Sequence, residues 1–175
     1  MSISLINKQK GYATDGNGKI LVFSNGTGST PAVGDMVVAF LAWAPSVSTS
    51  APTMSTSGYT LLTSKYVSAG YGNRVAVYYK VLTNPADSQV SFNGPGGSAN
   101  TIVCGYYVIR GMATSSPIDG TPGTSGDFTE TGPLTLDIPS TTTSNNNSWV
   151  FTCAVCANTI EATGTPTGFS ELLAE

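Results

Sequence analysis

Short apolar runs separated by turn-forming segments leave this chain few ways to fold. Nine such runs span residues 20–24, 36–43, 59–66, 74–82, 89–92, 101–109, 134–138, 148–157 and 169–173, with a candidate tenth at 3–6. Between them lie Gly-Asn-Gly, Asn-Gly-Thr-Gly, Asn-Gly-Pro-Gly-Gly and Thr-Pro-Gly-Thr-Ser-Gly, which supply positive φ or fix a turn. No window keeps a 3.6-residue apolar period between caps, and at most residues 85–88 make one helical turn. Strands without helices to cover a parallel sheet must stack as antiparallel layers. The expected fold is all-β, an antiparallel two-sheet sandwich of jelly-roll type with about 9–10 strands.

The side-chain period sharpens this reading. In 74–82, Val75, Val77, Tyr79 and Val81 alternate with Arg74, Tyr78 and Lys80, so the valine row is expected to face inward. Leu134, Leu136 and Ile138 alternate with Thr135 and Asp137 in the same way. By contrast, 36–43 and 101–109 are apolar on both faces, as central strands or strands covered on both sides would be.

A chain of 175 residues suits one domain, 1–175, with a candidate N-terminal arm at 1–18. An internal echo runs through it. Gly34-Asp-Met-Val-Val-Ala-Phe-Leu-Ala leads to Gly58-Tyr-Thr-Leu-Leu, and Asn147-Ser-Trp-Val-Phe-Thr-Cys-Ala-Val leads to Gly168-Phe-Ser-Glu-Leu-Leu, so that 34–62 is echoed at 147–173. The first copy is followed by the strand at 74–82, but the second stops at Glu175, so the expectation is either that the sequence is cut short there or that the next strand comes from elsewhere. The expectation is a homo-oligomer, a trimer by preference, in which segment 3–6 of a neighbour or a docked partner fills the strand edge. Charge is divided in a way that favours head-to-tail contact: residues 1–110 carry +4 and 111–175 carry −7.

Histidine is absent, which removes Ser-His-Asp and Cys-His catalysis and the usual zinc hydrolase sites. The net charge of −3 lacks the basic patch that nucleic acid requires. Cys104, Cys153 and Cys156 are an odd count and fit free thiols in a reducing place of synthesis. Cys153-Ala-Val-Cys156 has redox or zinc spacing, but strand positions i and i+3 face opposite ways, so no metal is expected there. Gly26-Thr-Gly28-Ser-Thr-Pro31 reads as a turn, because no helix follows to complete a phosphate loop. Asp15-Gly-Asn-Gly18 lacks the later carboxylates of a calcium loop. No cofactor is expected. The first ten residues hold too short an apolar run for a signal peptide, and no segment reaches the ~20 apolar residues of a membrane span.

Several of these elements together resemble a family of small β-sandwich virion proteins of bacteriophages and prophages. They are Gly34-Asp-Met-Val-Val-Ala-Phe, Gly58-Tyr-Thr-Leu-Leu, Val77-Tyr-Tyr-Lys-Val, Tyr107-Val-Ile-Arg-Gly followed by Ser116-Pro-Ile-Asp, and Asn147-Ser-Trp-Val-Phe with Thr165-Pro-Thr-Gly-Phe, spread over 33–169. The resemblance implies a virion structural protein with other capsid or tail proteins as partners: a capsid decoration or cement-type subunit, a head-fibre protein or a tail protein. It is not an enzyme on this reading, and it is made in the host cytoplasm for the virion. The rival is a tail or receptor-binding module that grips host glycans, for which Trp43, Tyr66 and Tyr71 are the candidate stacking rings. A third reading, an enzyme acting on polysaccharide through a carboxylate pair, has no motif to single out two residues.

Overall fold

The computed structural model describes residues 2–14, 16–44, 51–67, 72–83, 87–94, 101–124, 142–145 and 148–151. Among them are eight strands: β1 (Ser4–Ala13), β2 (Lys19–Val22), β3 (Thr27–Gly28), β4 (Met36–Ala44), β5 (Thr60–Val67), β6 (Asn73–Val81), β7 (Gln89–Phe92) and β8 (Thr101–Arg110). One 3-10 turn, Phe23–Asn25, follows β2 and ends the run expected at 20–24 early. The runs at 134–138 and 169–173, most of 148–157 and the start of 85–88 lie outside the described residues, as does nearly all of the second copy of the echo.

The chain is all-β and sandwich-like. A six-stranded antiparallel sheet has the order β3-β1-β8-β4-β6-β5, and β2 pairs with β7 in a second, two-stranded sheet. The N-terminal residues lie in the large sheet: β1 runs the whole length of β8, from Ser4 opposite Arg110 to Ala13 opposite Ile102, with one bulge after Leu5. The small sheet is widened by residues 53–56, whose backbone bonds to β7 through Ser55 N–H to Ser91 O (2.8 Å) and Asn93 N–H to Thr53 O (3.0 Å).

Why β4 and β8 are apolar on both faces follows from their central places. On the inner face, Val37, Ala39, Leu41 and Trp43 of β4 lie beside Val108, Tyr106, Cys104 and Ile102 of β8. Leu21, Phe23, Val90, Phe92 and Leu82 close over them to form the main core. On the outer face Met36, Val38 and Ile109 form a second cluster, partly covered by Ile3, Met112, Ile118 and Phe151.

The orientation of β6 corrects the expectation for it. Alternation holds, but Ala76 and Tyr78 are the buried residues, whereas Val75, Val77, Tyr79 and Val81 are only half-buried. Register explains this: Ala39 opposes Tyr78 and Leu41 opposes Ala76, so Arg74, Ala76, Tyr78 and Lys80 share the inner face of β4, and the valine row belongs to the outer face. The two cations are tolerated inward because β6 lies next to edge strand β5. From there their long stems run out to polar partners at the sheet margin.

A second correction concerns 148–151, which was expected to open a strand. These residues belong to no strand. They are held by side-chain contacts instead, Ser148 to Asp119 and Phe151 to Tyr107. Strand β3, unanticipated, is two residues long because Gly28 sits at φ +124 against the Ile6 carbonyl. A Cβ there would lie 2.1 Å from that oxygen, so only glycine fits.

Candidate functional site

The rings proposed for sugar stacking have separate surroundings. Trp43 is buried in the main core at the end of β4. Tyr66, on β5, opposes Arg74 of β6, whose guanidinium carbon sits 5.7 Å from the Tyr66 ring centre. Tyr71 lies outside the described residues, and so do Cys153, Cys156 and Asp15. Cys104 is a buried thiol in the core that donates to Gly11 O at 3.4 Å. Among the described residues no group of three His, Cys, Asp or Glu side chains is placed to hold a metal.

Among the described residues there is a concave polar surface that the sequence did not single out. It is an open depression of about 600 Å³ lined by Ser55, Thr56, Ser57, Asp87, Ser88, Gln89 and Ser91. Its charged margin is a cation on a ring: Lys80 Nζ pairs with Asp87 Oδ2 at 2.8 Å, donates to Ser57 O at 2.9 Å and lies 5.5 Å from the Tyr59 ring centre. Burial, then the Asp87 charge and Tyr106, push the Tyr59 phenol well above its ordinary range, so it stays neutral. Much of the lining is engaged internally. Thr56 Oγ1 accepts from Ser91 N–H (2.8 Å), Gln89 Nε2 donates to Ser91 Oγ (3.0 Å), and Ser55 Oγ donates to Asn93 Oδ1 (2.6 Å). Chemically this arrangement joins the 53–57 segment to β7 and β6. Sequence patterning could not find it, because its residues come from three separated segments and are of ordinary turn-forming type.

Two further carboxylates anchor loops. Asp35, buried at the start of β4, accepts both guanidinium bonds from Arg110 at 2.8 Å and the Ala32 N–H at 2.8 Å. Leu82 N–H donates to Asp35 O beside it. Asp119 accepts from Ser144, Asn145 and Ser148. These positions account for much of the sequence pattern. Gly34-Asp and Ile-Arg-Gly contain the two halves of one fork-to-fork ion pair, and Ser116-Pro-Ile-Asp ends on the second anchor.

Burial alone would raise the Asp35 carboxyl, but the Arg110 bonds, the Ala32 N–H and the guanidinium charge together hold it below its ordinary 3.8. A carboxyl lowered in the fold stabilises it above that ordinary value and ceases to do so as pH falls through the lowered one. Asp35→Asn is expected to cost about 1–2 kcal/mol near neutrality, since Arg110, 45% exposed, rehydrates once released. The deficit should shrink in acid below pH 3.8. Urea unfolding of both proteins across pH checks this; an equal deficit at every pH would assign the loss to packing alone.

Neither a scan against protein-family models nor searches of curated proteins and of solved structures return a match to this chain.

Proposed function

We propose that the chain is a non-enzymatic structural protein of a bacteriophage particle, most nearly a capsid decoration or cement-type subunit, in a jelly-roll sandwich that works as a homo-oligomer or docked on capsid or tail proteins. One observation carries the reading: each of the three carboxylates among the described residues holds a loop to the body of the fold. Asp35 is taken by Arg110, Asp87 by Lys80 and Asp119 by Ser144 and its neighbours. Acid–base catalysis needs a carboxyl or other base free to meet a substrate proton, and these are engaged in binding the chain to itself. The hydroxyl-rich, weakly charged composition and the resemblance over 33–169 agree with a subunit that adheres.

The test is cosedimentation with phage particles that lack the protein, run beside a glycan array. Saturable binding to particles and no glycan signal is the expected result. Saccharide binding without particle binding would replace this reading by the receptor-binding one, and neither binding would end it. Light scattering of the free protein at low concentration, with and without residues 1–8, tests the oligomer. In the single chain Ser4 and Leu5 already pair with Arg110 and Ile109, so an exchange between copies must displace those bonds.

A further inference from the structure

We propose that Asp119 is the latch of a strap, described at residues 144–145 and 148–151, that seats Phe151, with Trp149 against it, on the outer face of the six-stranded sheet. The carboxylate of this partly buried residue receives donors on both oxygens. Oδ2 accepts the Ser144 N–H at 2.8 Å, the Asn145 N–H at 3.0 Å and Asn145 Nδ2 at 3.1 Å, and Oδ1 accepts Ser144 Oγ–H at 2.7 Å. Two successive backbone N–H groups aimed at one oxygen form an anion cradle, and an amide in place of the carboxylate would keep one acceptor oxygen but lose the charge and the second acceptor. Ser148 Oγ lies 3.1 Å from Oδ2 and 3.0 Å from Asn145 O, and shares its single proton between them. The donors bring the Asp119 carboxyl down to about 2 despite the opposing effect of burial, the Ser144 hydroxyl having the largest part.

What the latch fixes lies directly after it. Phe151 stacks on Tyr107 of β8 with ring centres 5.9 Å apart at 26°, and Trp149 leans on Phe151 at 6.0 Å. Phe151 packs on the cluster of Met36, Val38 and Ile109, as does Ile118, the residue before Asp119. One carboxylate therefore ties together two segments that cover the same apolar surface. A second observation points the same way: Ser116 has φ 52 immediately before Pro117. Left-handed backbone at a non-glycine residue before proline is unfavourable, and persists where the surroundings over-determine it. Ile118 packing and the latch supply that determination.

Trp149 is 38% exposed while Trp43 is buried, so the two tryptophans report separately on strap and core. With 5-fluorotryptophan in the full chain, Asp119→Asn is expected to shift and broaden the Trp149 fluorine line and leave the Trp43 line in place. Ser148→Ala, which removes one donor at the strap end, should shift the same line by less. Faster amide exchange is expected in both variants around Tyr107 and Met36. An unmoved Trp149 line in Asp119→Asn would overturn the proposal. Equal movement of both lines in both variants would overturn it too, because Asp119 would then support the fold at large.

Discussion

Leu41→Ala is expected to destabilise the chain by about 3 kcal/mol, and Val77→Ala by about 1 kcal/mol or less. Both lie mid-strand in the large sheet, but on opposite faces. Leu41 is fully buried in the main core, and its partners in the adjoining strands are small: Cys104 on β8 and Ala76 on β6. Small neighbours cannot reach into the space left by an isobutyl group, so most of that space persists as a cavity and the cost lies well inside the range for buried leucines. Val77 packs on the outer cluster and is only half-buried. Water already meets part of its surface, which reduces both the transfer and the cavity contributions. Urea denaturation of the two variants against wild type makes the comparison. Equal costs, or the larger one at Val77, would put the principal core on the wrong face.

That comparison marks where patterning succeeds and where it stops. Apolar runs located six of the eight described strands within a few residues, because each run must leave water and each turn needs its Gly, Asn or Pro. The strand at 3–6 proved longer, extending through Lys8 and Lys10 to Ala13. Its alternation is obscured because Asn7, Gln9 and Gly11 occupy inner positions opposite Val108, Tyr106 and Cys104. For β6 the alternation was legible but its direction was not: a valine row predicts a buried face only if the other face is wet. Here Arg74 and Lys80 point to the covered side and reach Tyr66 and Asp87 at its margin. Loop anchors such as Asp119 with Ser144, twenty-five residues apart, carry no periodic signal at all.

Replacement of Asn7 by Ala is expected to cost about 3 kcal/mol, as much as a large core truncation, although the side chain removed is small and polar. Asn7 is buried on the inner face of β1 and uses both ends of its amide. Oδ1 accepts the Tyr106 hydroxyl at 2.8 Å, and Nδ2 donates to Phe23 O at 3.3 Å and Ser29 O at 3.0 Å. These bonds join β1 and β8 to the 3-10 turn and to the chain after β3. Gly26 completes the site, since a Cβ on it would lie 2.1 Å from Asn7 Oδ1 and 2.4 Å from the Tyr106 hydroxyl. Alanine at position 7 takes a donor from the Ser29 and Phe23 carbonyls and the near acceptor from a buried phenol; Phe23 O keeps the Gly26 N–H at 3.1 Å, and the Tyr106 hydroxyl is left with Gln9 Oε1 at 3.5 Å. A buried polar group that loses its partner costs more than the net value of the bond. Tyr106→Phe removes one donor and keeps the ring against Phe23, at 5.0 Å edge to face, so about 1 kcal/mol is expected. Because one bond is shared, the double variant should be less destabilised than the sum of the singles. The phenol adds a pH signature. Burial pushes Tyr106 up to about 12 from its ordinary 10.0, so the neutral hydroxyl that donates to Asn7 stabilises the fold below pH 10.0. That contribution fades as pH rises through the elevated value. Wild type should lose stability in strong alkali more steeply than Tyr106→Phe. Additive singles, together with parallel alkaline profiles, would mean that Asn7 and Tyr106 are neighbours that do not depend on each other.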